Sequence, residues 1–254
     1  MIIESPGFFG PGYPAATDLL MEGQTSDDVS QIAAFVERDA PRRAPRILDA
    51  PCGYGRLTVP LALHGLELAG CDLSEELLEV ARARARTAGR PEIPFRRGDL
   101  TSACPFDGAF DYVVCWHHSL GYGSLEADVA ILRNLLACLA PGGQILVQLL
   151  NQAAVIRHVD SLAKATFLAE SELMRVRDTV KFDVLNSTLV TERTTYTRGA
   201  TPTTTTLTAR IYSAGDLANL VQRAGGFLLG AYGDAFRPLS LDSSHLLGVV
   251  SNAG

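Results

Sequence analysis

Short apolar runs alternate with amphipathic segments between residues 46 and 150. Each apolar run has the length of a buried strand, and the segments between the runs carry apolar residues at helical spacing. The predicted strands are Arg46–Ala50, Leu68–Cys71, Ile93–Arg97, Tyr112–Trp116 and Ile145–Leu150. The predicted helices are Ser26–Asp39, Leu57–His64, Ser74–Thr87 and Leu125–Leu139. Because buried strands joined by helical crossovers pair in parallel, the pattern predicts a doubly wound, mostly parallel α/β sheet.

Beyond the fifth strand the apolar pattern changes to a two-residue period. Apolar and polar residues alternate over residues 174–184, broken only at Asp178, and Thr188–Thr197 and Thr203–Tyr212 follow as two more strands. We expect residues 170–212 to form a small antiparallel β insertion. A closing helix and two further strands are predicted at Ser213–Arg223, Phe227–Gly233 and His245–Val250, which makes seven strands in the main sheet.

The chain is expected to be a single domain over residues 1–254. Within it, residues 46–150 form the core, residues 213–254 close the sheet, and residues 1–24 are an irregular segment rich in glycine, proline and aromatic residues. Aromatic side chains there, Tyr13 among them, suit a lid that excludes water from a ligand.

Charge and cysteine content narrow the function classes. The 22 basic and 28 acidic residues give a net charge of −6, which argues against nucleic acid as a partner. No run approaches the ~18 apolar residues of a membrane-spanning helix, and the first residues do not follow the pattern of a secretory signal. The five cysteines include no C-x-x-C pair, which fits neither a disulfide framework nor a zinc site. We therefore expect a cytoplasmic protein without a metal.

The segment Ile47–Arg56, which reads ILDAPCGYGR, carries the strongest chemical signal. It runs from a buried strand into a turn where Gly53 and Gly55 allow the backbone to approach a ligand closely. A dinucleotide-binding turn would need a third glycine at residue 58, which is Thr58. Asp49 places a carboxylate at the turn, where it would repel a pyrophosphate and attract a cationic ligand.

Two further acids follow the next two strands. Asp72 comes directly after the second strand, where ligands bind in open α/β sheets, and its carboxylate could accept hydrogen bonds from both hydroxyls of a ribose. Asp99 comes after the third strand and could accept a hydrogen bond from an exocyclic amine, such as that of adenine.

Taken together, these motifs resemble those of the class I S-adenosylmethionine-dependent methyltransferases. The later Leu139–Gly143 segment, LAPGG, is also similar to a family landmark before the fifth strand, whereas Pro51 stands where the family often has another glycine. The resemblance implies a Rossmann-like fold, S-adenosylmethionine as cofactor and S-adenosylhomocysteine as product. It implies that Asp49, Gly53 and Gly55 hold the methionine part, Asp72 the ribose and Asp99 the adenine. Further cofactor contacts are expected from Tyr13, Pro51, Leu73, Leu100, Cys115 and Trp116.

The loop after the fourth strand predicts the acceptor chemistry. It carries His117 and His118 where relatives often have an apolar or small residue, and histidine is the side chain best suited to take a proton near neutral pH. We expect one of the two to be a general base and the other to be structural. The β insertion resembles that of glycine and amino-sugar N-methyltransferases, which implies a small-molecule acceptor with an O or N nucleophile in a secondary-metabolism tailoring step.

Two other functions stay open from the sequence. Asp72 lies about the expected distance beyond the glycine turn for a nicotinamide-dependent oxidoreductase. The chain could also bind S-adenosylmethionine without transferring its methyl group. An exposed edge of the insertion could pair with a second copy, so a homodimer is a further expectation.

Overall fold

A computed structural model describes residues 7–21, 23–39, 44–158 and 166–252. Parts of the expected N-terminal and closing segments, residues 1–6, 22 and 253–254, lie outside the described residues. The helices are α1 (Tyr13–Leu20), α2 (Gln24–Asp39), α3 (Thr58–Leu63), α4 (Glu75–Thr87), α5 (Leu125–Leu136), α6 (Gln152–Arg157) and α7 (Ala214–Ala224). The strands are β1 (Arg46–Asp49), β2 (Glu67–Asp72), β3 (Phe95–Arg97), β4 (Phe110–Cys115), β5 (Leu139–Leu150), β6 (Thr166–Glu170), β7 (Met174–Asp183), β8 (Thr188–Thr197), β9 (Thr203–Arg210), β10 (Gly226–Tyr232) and β11 (His245–Asn252).

The main sheet has seven strands in the order β10-β11-β5-β4-β1-β2-β3. Strand β11 runs antiparallel to both of its neighbours, whereas the pairs from β5 to β3 are parallel. This confirms the predicted mostly parallel sheet. The chain leaves β1 toward β2 on one side and returns to β4 on the other. The carboxyl ends of β1 and β4 therefore flank the crevice where open α/β sheets bind ligands.

Two apolar layers cover the faces of this sheet. On one face α5 and α7 bury Leu132 and Leu217 against the sheet. On the other face α2, α3 and α4 bury Ile32, Leu61 and Leu78. Each helix has its apolar residues at the spacing that underlies the sequence-based prediction, so burial of one helical face explains their positions.

Serine caps fix the starts of three helices, α4, α5 and α7. Ser74 accepts a hydrogen bond from the Leu77 amide at 3.3 Å, at the start of α4. Ser213 and Asp216 form a reciprocal capping box at the start of α7, as their spacing predicts. None of the helices in the described ranges is both long and apolar enough to cross a membrane.

Strand β5 begins earlier than the sequence pattern predicts. It starts at Leu139 and includes the Pro-Gly-Gly motif, where its pairing with β4 is irregular. A side chain on Gly143 would lie 2.8 Å from the Phe110 carbonyl oxygen, so only glycine allows this approach. The motif is therefore an irregular start of the strand and not a loop that precedes it.

The β insertion forms a second sheet with the order β6-β7-β8-β9. The three predicted strands are present, and β6 adds a fourth that the sequence pattern does not indicate. The N-terminal segment, expected to be irregular, contains the helix α1. This helix contacts β6 and β7, so the second sheet and the N-terminal segment pack together.

One glycine joins the second sheet to the core. The Gly121 carbonyl accepts a hydrogen bond from the Arg210 amide at 2.8 Å, and the Gly121 amide donates to the Asp128 carboxylate at 3.1 Å. Gly121 has a positive φ of 97°, and a Cβ there would lie 2.3 Å from the Arg210 carbonyl oxygen.

We expect Gly121→Ala to lower the free energy of unfolding by about 2–4 kcal/mol, because the new methyl group collides with backbone at a strained φ. Gly142→Ala is the matched control, since its φ is also positive and no atom of the described residues lies within 4 Å of the place that its methyl group would take. That control should lose only about 1 kcal/mol. Urea unfolding of both variants measures the difference, and equal losses would contradict the proposed collision.

Candidate functional site

A cavity of about 410 Å³ opens at the carboxyl ends of β1, β2 and β4. It brings together ten of the predicted site residues. They are Tyr13, Asp49, Pro51, Gly53, Asp72, Leu73, Asp99, Leu100, Trp116 and His117. Three others, Gly55, Cys115 and His118, are not among the residues that line it.

The two glycines of the β1–α3 turn have different roles. Gly53 faces open space with a φ of 52°, and its amide donates to the Asp72 carboxylate at 2.9 Å. A Cβ on Gly55 would lie 3.2 Å from the Cβ of Ala81, so Gly55 allows α4 to pack against the turn. The lack of a side chain therefore leaves room for a ligand at Gly53, whereas at Gly55 it allows α4 to pack closely against the turn.

Asp49 lies at the bottom of the cavity and is almost fully buried. Its carboxylate accepts a 2.6 Å hydrogen bond from the Thr58 hydroxyl. Burial raises the pKa of Asp49 to about 7, although the Thr58 hydrogen bond and the charge of Arg56 act in the opposite direction. The negative charge expected at this turn is therefore costly to form without a cationic ligand beside it.

Asp72 and Asp99 line the cavity in different environments. Asp72 accepts hydrogen bonds from the amides of Gly53 and Ser74, both at 2.9 Å, and burial raises its pKa. Asp99 is more exposed and accepts from the hydroxyl and amide of Thr101, which lower its pKa. Both carboxylates are held by backbone amides, so their orientation is fixed before a ligand binds.

Arg56 is a cavity residue that the sequence analysis does not single out. Its Nη1 donates to Asp28 at 2.9 Å and to Thr25 at 3.1 Å, and the side chain is only 7% exposed. Its Nη2 is buried and has no hydrogen-bond partner within the described part of the chain. Because Arg56 lines the cavity, an unpaired guanidinium nitrogen of this residue could donate to an anionic oxygen of a ligand. Its place directly after Gly-x-Gly is the signal that could have found it.

The Asp28 carboxylate accepts hydrogen bonds from other side chains near Arg56. Its carboxylate also accepts from Trp116 Nε1 at 3.0 Å and from Gln148 Nε2 at 3.4 Å. Gln148 in turn accepts from the His117 amide through its side chain at 3.0 Å. This network links α2, β5 and the loop after β4. Sequence patterns do not indicate it, because these residues are far apart along the chain.

The two loop histidines are buried and have left-handed backbone. His117 and His118 both have a φ of 59°, an uncommon conformation for any residue except glycine. His117 lines the cavity, and its Nδ1 has no partner among the residues described. Burial lowers the pKa of His117 to about 3 and lowers that of His118 well below its usual value. Both imidazoles are therefore neutral at physiological pH.

A third histidine, which no sequence motif singles out, stands next to this pair. The ring of His245 stacks on that of His118 with centroids 5.5 Å apart, and His245 Nδ1 lies 2.7 Å from the Asp234 carboxylate. The carboxylate therefore orients the His245 ring, and the stacked ring in turn supports His118.

Four aromatic rings form part of the cavity wall. The ring of Tyr13 lies 5.0 Å from Phe9 and 5.9 Å from Tyr54, and Phe9 lies 5.6 Å from Tyr122. Burial raises the pKa of Tyr13, so its phenol stays neutral. Phe9 and Tyr13 of the N-terminal segment therefore line the cavity with aromatic surface, and their role as a lid stays a prediction.

Residues 47–143 match a family described as a methyltransferase domain. The match covers 97 of the 254 residues, from β1 to the start of β5. A curated relative, the putative methyltransferase YqeM of Bacillus subtilis, is 35% identical over 136 residues, or 53% of each chain. The matched part is thus about half the length of that relative.

Solved structures share the fold of this protein over nearly the whole chain. An S-adenosylmethionine-dependent methyltransferase from Clostridium acetobutylicum has a TM-score of 0.80 at 15% identity, covering 95% of this chain and 98% of that one. The amino pentose methyltransferase CalS10 from Micromonospora echinaspora has a TM-score of 0.70 at 16% identity, covering 94% of this chain and 96% of that one. Coverage this wide takes in at least part of the second sheet, and these likenesses concern the fold alone.

The raised pKa of Asp49 gives a test by stability. A carboxyl group whose folded pKa is about 7 keeps its proton in the native state at pH values where the unfolded chain has already lost it. The protonated group therefore stabilises the fold at low pH, and this stabilisation is lost as the pH rises through 7. We expect Asp49→Asn to gain stability relative to wild type between pH 5 and pH 8, by an amount on the order of 3 kcal/mol.

Asp99→Asn is the matched control, because the pKa of Asp99 is lowered, so that its effect on stability changes with pH in the opposite direction. Its native carboxylate stabilises the fold above its ordinary pKa, so the variant should gain nothing as the pH rises from 5 to 8. Urea unfolding at both pH values measures the two differences. A pH-independent difference for Asp49→Asn would show that this carboxyl group titrates normally.

Proposed function

We propose that the chain transfers the methyl group of S-adenosylmethionine to an O or N nucleophile of a small molecule. The proposal rests on two features of one cavity. Arg56 Nη2 has no hydrogen-bond partner in the described part of the chain, and Asp49, Asp72 and Asp99 bring three carboxyl groups to the same cavity wall. The cofactor has a carboxylate, a ribose, a purine and two cationic groups, and the cavity offers a complementary group for each.

The residues fit that cofactor on observations independent of the family resemblance. Arg56 Nη2 can donate to the carboxylate of the methionine part, and Asp49 is the acid whose ionisation a nearby cation would favour. Asp72 retains lone pairs for the ribose hydroxyls beyond its two backbone hydrogen bonds. Leu73 is 58% exposed in the cavity wall, which leaves apolar surface for a purine ring.

The bound sulfonium supplies an activated methyl group, so the protein's main task is to align an acceptor with it. The aromatic enclosure of Phe9, Tyr13 and Tyr122 keeps water from this region. His117 lines the cavity in its neutral form and can accept a hydrogen bond from the acceptor. Because burial lowers its pKa to about 3, it can take the proton of a hydroxyl, which becomes strongly acidic as its oxygen is methylated. An amine that is already neutral would need only the hydrogen bond.

We infer that the acceptor is a small molecule modified in secondary metabolism. The net charge of −6 does not suit a nucleic-acid acceptor. The amino pentose methyltransferase CalS10 has the same fold over nearly the whole chain, and this favours an amino sugar as the first acceptor to try. Among the described residues there is no group of three or more histidine, cysteine or acidic side chains that could hold a metal ion.

Binding of S-adenosylhomocysteine to Arg56→Lys tests the cofactor site. Lysine keeps the charge beside Asp28 but cannot present a second nitrogen to the cavity, so we expect an affinity about tenfold weaker or more than that of wild type. Isothermal titration calorimetry measures this. Arg175→Lys is the control, because Arg175 pairs with Glu170 on the exposed surface. Wild-type protein that binds NAD and not S-adenosylhomocysteine would overturn the proposed function.

Replacing His117 tests the general base. With amino pentoses as acceptors and mass spectrometry as readout, we expect His117→Gln to reduce the rate at pH 7 by roughly 10²- to 10⁴-fold without changing cofactor affinity. The loss should be greatest for transfer to a hydroxyl of the sugar, because transfer to a neutral amine needs only the hydrogen bond. The exposed His64 gives the control His64→Gln. An unchanged rate in His117→Gln would rule out a base at this position.

A further inference from the structure

A buried glutamine interrupts the apolar centre of strand β5. Residues 145–150 read ILVQLL, and Gln148 is the one polar side chain among them. It is only 1% exposed. A carboxamide in such a place costs free energy unless its oxygen and its nitrogen both have hydrogen-bond partners. The partners of Gln148 therefore indicate what a polar residue does in this strand.

The carboxamide of Gln148 joins the loop after β4 to helix α2. Its Oε1 accepts from the His117 amide at 3.0 Å, and its Nε2 donates to the Asp28 carboxylate at 3.4 Å. The opposite orientation of the carboxamide would place oxygen against the carboxylate and the NH2 group against the amide, so these partners fix one orientation. Because Asp28 also accepts from Arg56 Nη1 at 2.9 Å, one carboxylate connects Gln148 to the proposed cofactor site.

The loop needs this support because of its backbone conformation. His117 and His118 both have a φ of 59°, which residues other than glycine adopt only at a cost. They lie between β4 and α5, outside the regular hydrogen bonding of either element. The main-chain oxygen of Gln148 accepts from the His118 amide at 3.2 Å, and its side-chain oxygen accepts from the His117 amide. One residue therefore holds both amides of the left-handed pair.

We propose that Gln148 is a positioning residue for methyl transfer, which acts through His117. The inference rests on the proposed function, in which His117 lines the cavity and accepts a hydrogen bond from the acceptor. Gln148 itself is not among the residues that line the cavity. The direction of a side chain depends on the φ and ψ of its residue, so the Gln148 oxygen decides where the imidazole meets the acceptor.

Gln148→Met tests this role with a side chain of similar size that has neither the oxygen nor the NH2 group. We expect kcat with amino pentose acceptors to fall about 10- to 100-fold, because the His117 imidazole loses its orientation. The Kd for S-adenosylhomocysteine and the KM for S-adenosylmethionine should stay within about twofold of wild type, since Asp28 keeps Arg56 and Trp116 as partners. Mass spectrometry of the methylated product gives kcat and KM, and isothermal titration calorimetry gives the Kd.

Hydrogen–deuterium exchange measures the same role without an acceptor. The His117 amide loses its partner in Gln148→Met, so the peptide that contains it should exchange about tenfold faster or more than in wild type. Gln148→Asn is a second variant, which keeps a carboxamide that is one methylene shorter and cannot reach both partners. We expect it to show the same fall in kcat and the same faster exchange.

Gln144→Met is the matched control. Gln144 lies four residues earlier on the same face of β5, and its Nε2 also donates to an aspartate of α2, Asp39, at 3.3 Å. It is about 13 Å from Gln148 along the strand, so this variant should keep the kcat and the loop exchange of wild type.

The outcomes separate this inference from the proposed function. A Gln148→Met protein with wild-type kcat, with wild-type exchange of the loop peptide, or with cofactor affinity lost together with kcat would overturn the positioning role. Wild type that binds no S-adenosylhomocysteine or transfers no methyl group would count against the proposed function. In that case the kinetic part of the inference ends with it, and the exchange measurement still decides whether Gln148 holds the loop.

Discussion

The buried carboxylate of Asp28 is the interaction on which the architecture of the site depends. It neutralises Arg56 and accepts hydrogen bonds from Trp116 and Gln148, so a single charge organises an N-terminal helix, the turn after β1 and the loop after β4. A buried charge of this kind is tolerated only when its partners are fixed around it. The same ion pair occupies one terminal nitrogen of Arg56 and leaves the other without a partner in the described part of the chain, on a residue that lines the cavity. The packing of the fold and the binding surface are therefore built from one set of hydrogen bonds.

Part of the cavity wall comes from outside the parallel core. Phe9 and Tyr13 of the N-terminal segment line the cavity, and Arg193 of the second sheet stacks on Phe8 with its guanidinium 4.6 Å from the ring centre. That arginine also pairs with Asp178 in a bidentate ion pair of 2.8 Å contacts. The second sheet and the N-terminal segment thus hold each other over the core. Because the residues that we propose to hold the cofactor come mainly from the core and this part of the wall from the additions, the two can vary independently among proteins of this fold.

The parallel core could be predicted from the sequence because each of its strands is short, apolar and followed by a helix with a clear period. The acids Asp49, Asp72 and Asp99 could be placed for the same reason, since residues after parallel strands meet at one edge. The additional strand β6 and the helix α1 have no comparable signal. The partners of Asp28, the stacking of His245 on His118 and the burial that raises the pKa of Asp49 depend on contacts across the fold. They follow from which residues meet, and spacing along the chain does not contain that information.

The two consecutive left-handed residues after β4 have a consequence for how the acceptor chemistry could change. Asparagine and aspartate also tolerate this backbone conformation, and glycine adopts it without penalty, whereas β-branched residues do not. The amides at these positions are held by Gln148 through its side chain and its main chain, whichever side chains the loop carries. The backbone of the loop is therefore held independently of its side chains. A histidine, an asparagine or a glycine could stand at these positions, so that the preferred acceptor can change in evolution while the proposed cofactor site stays the same.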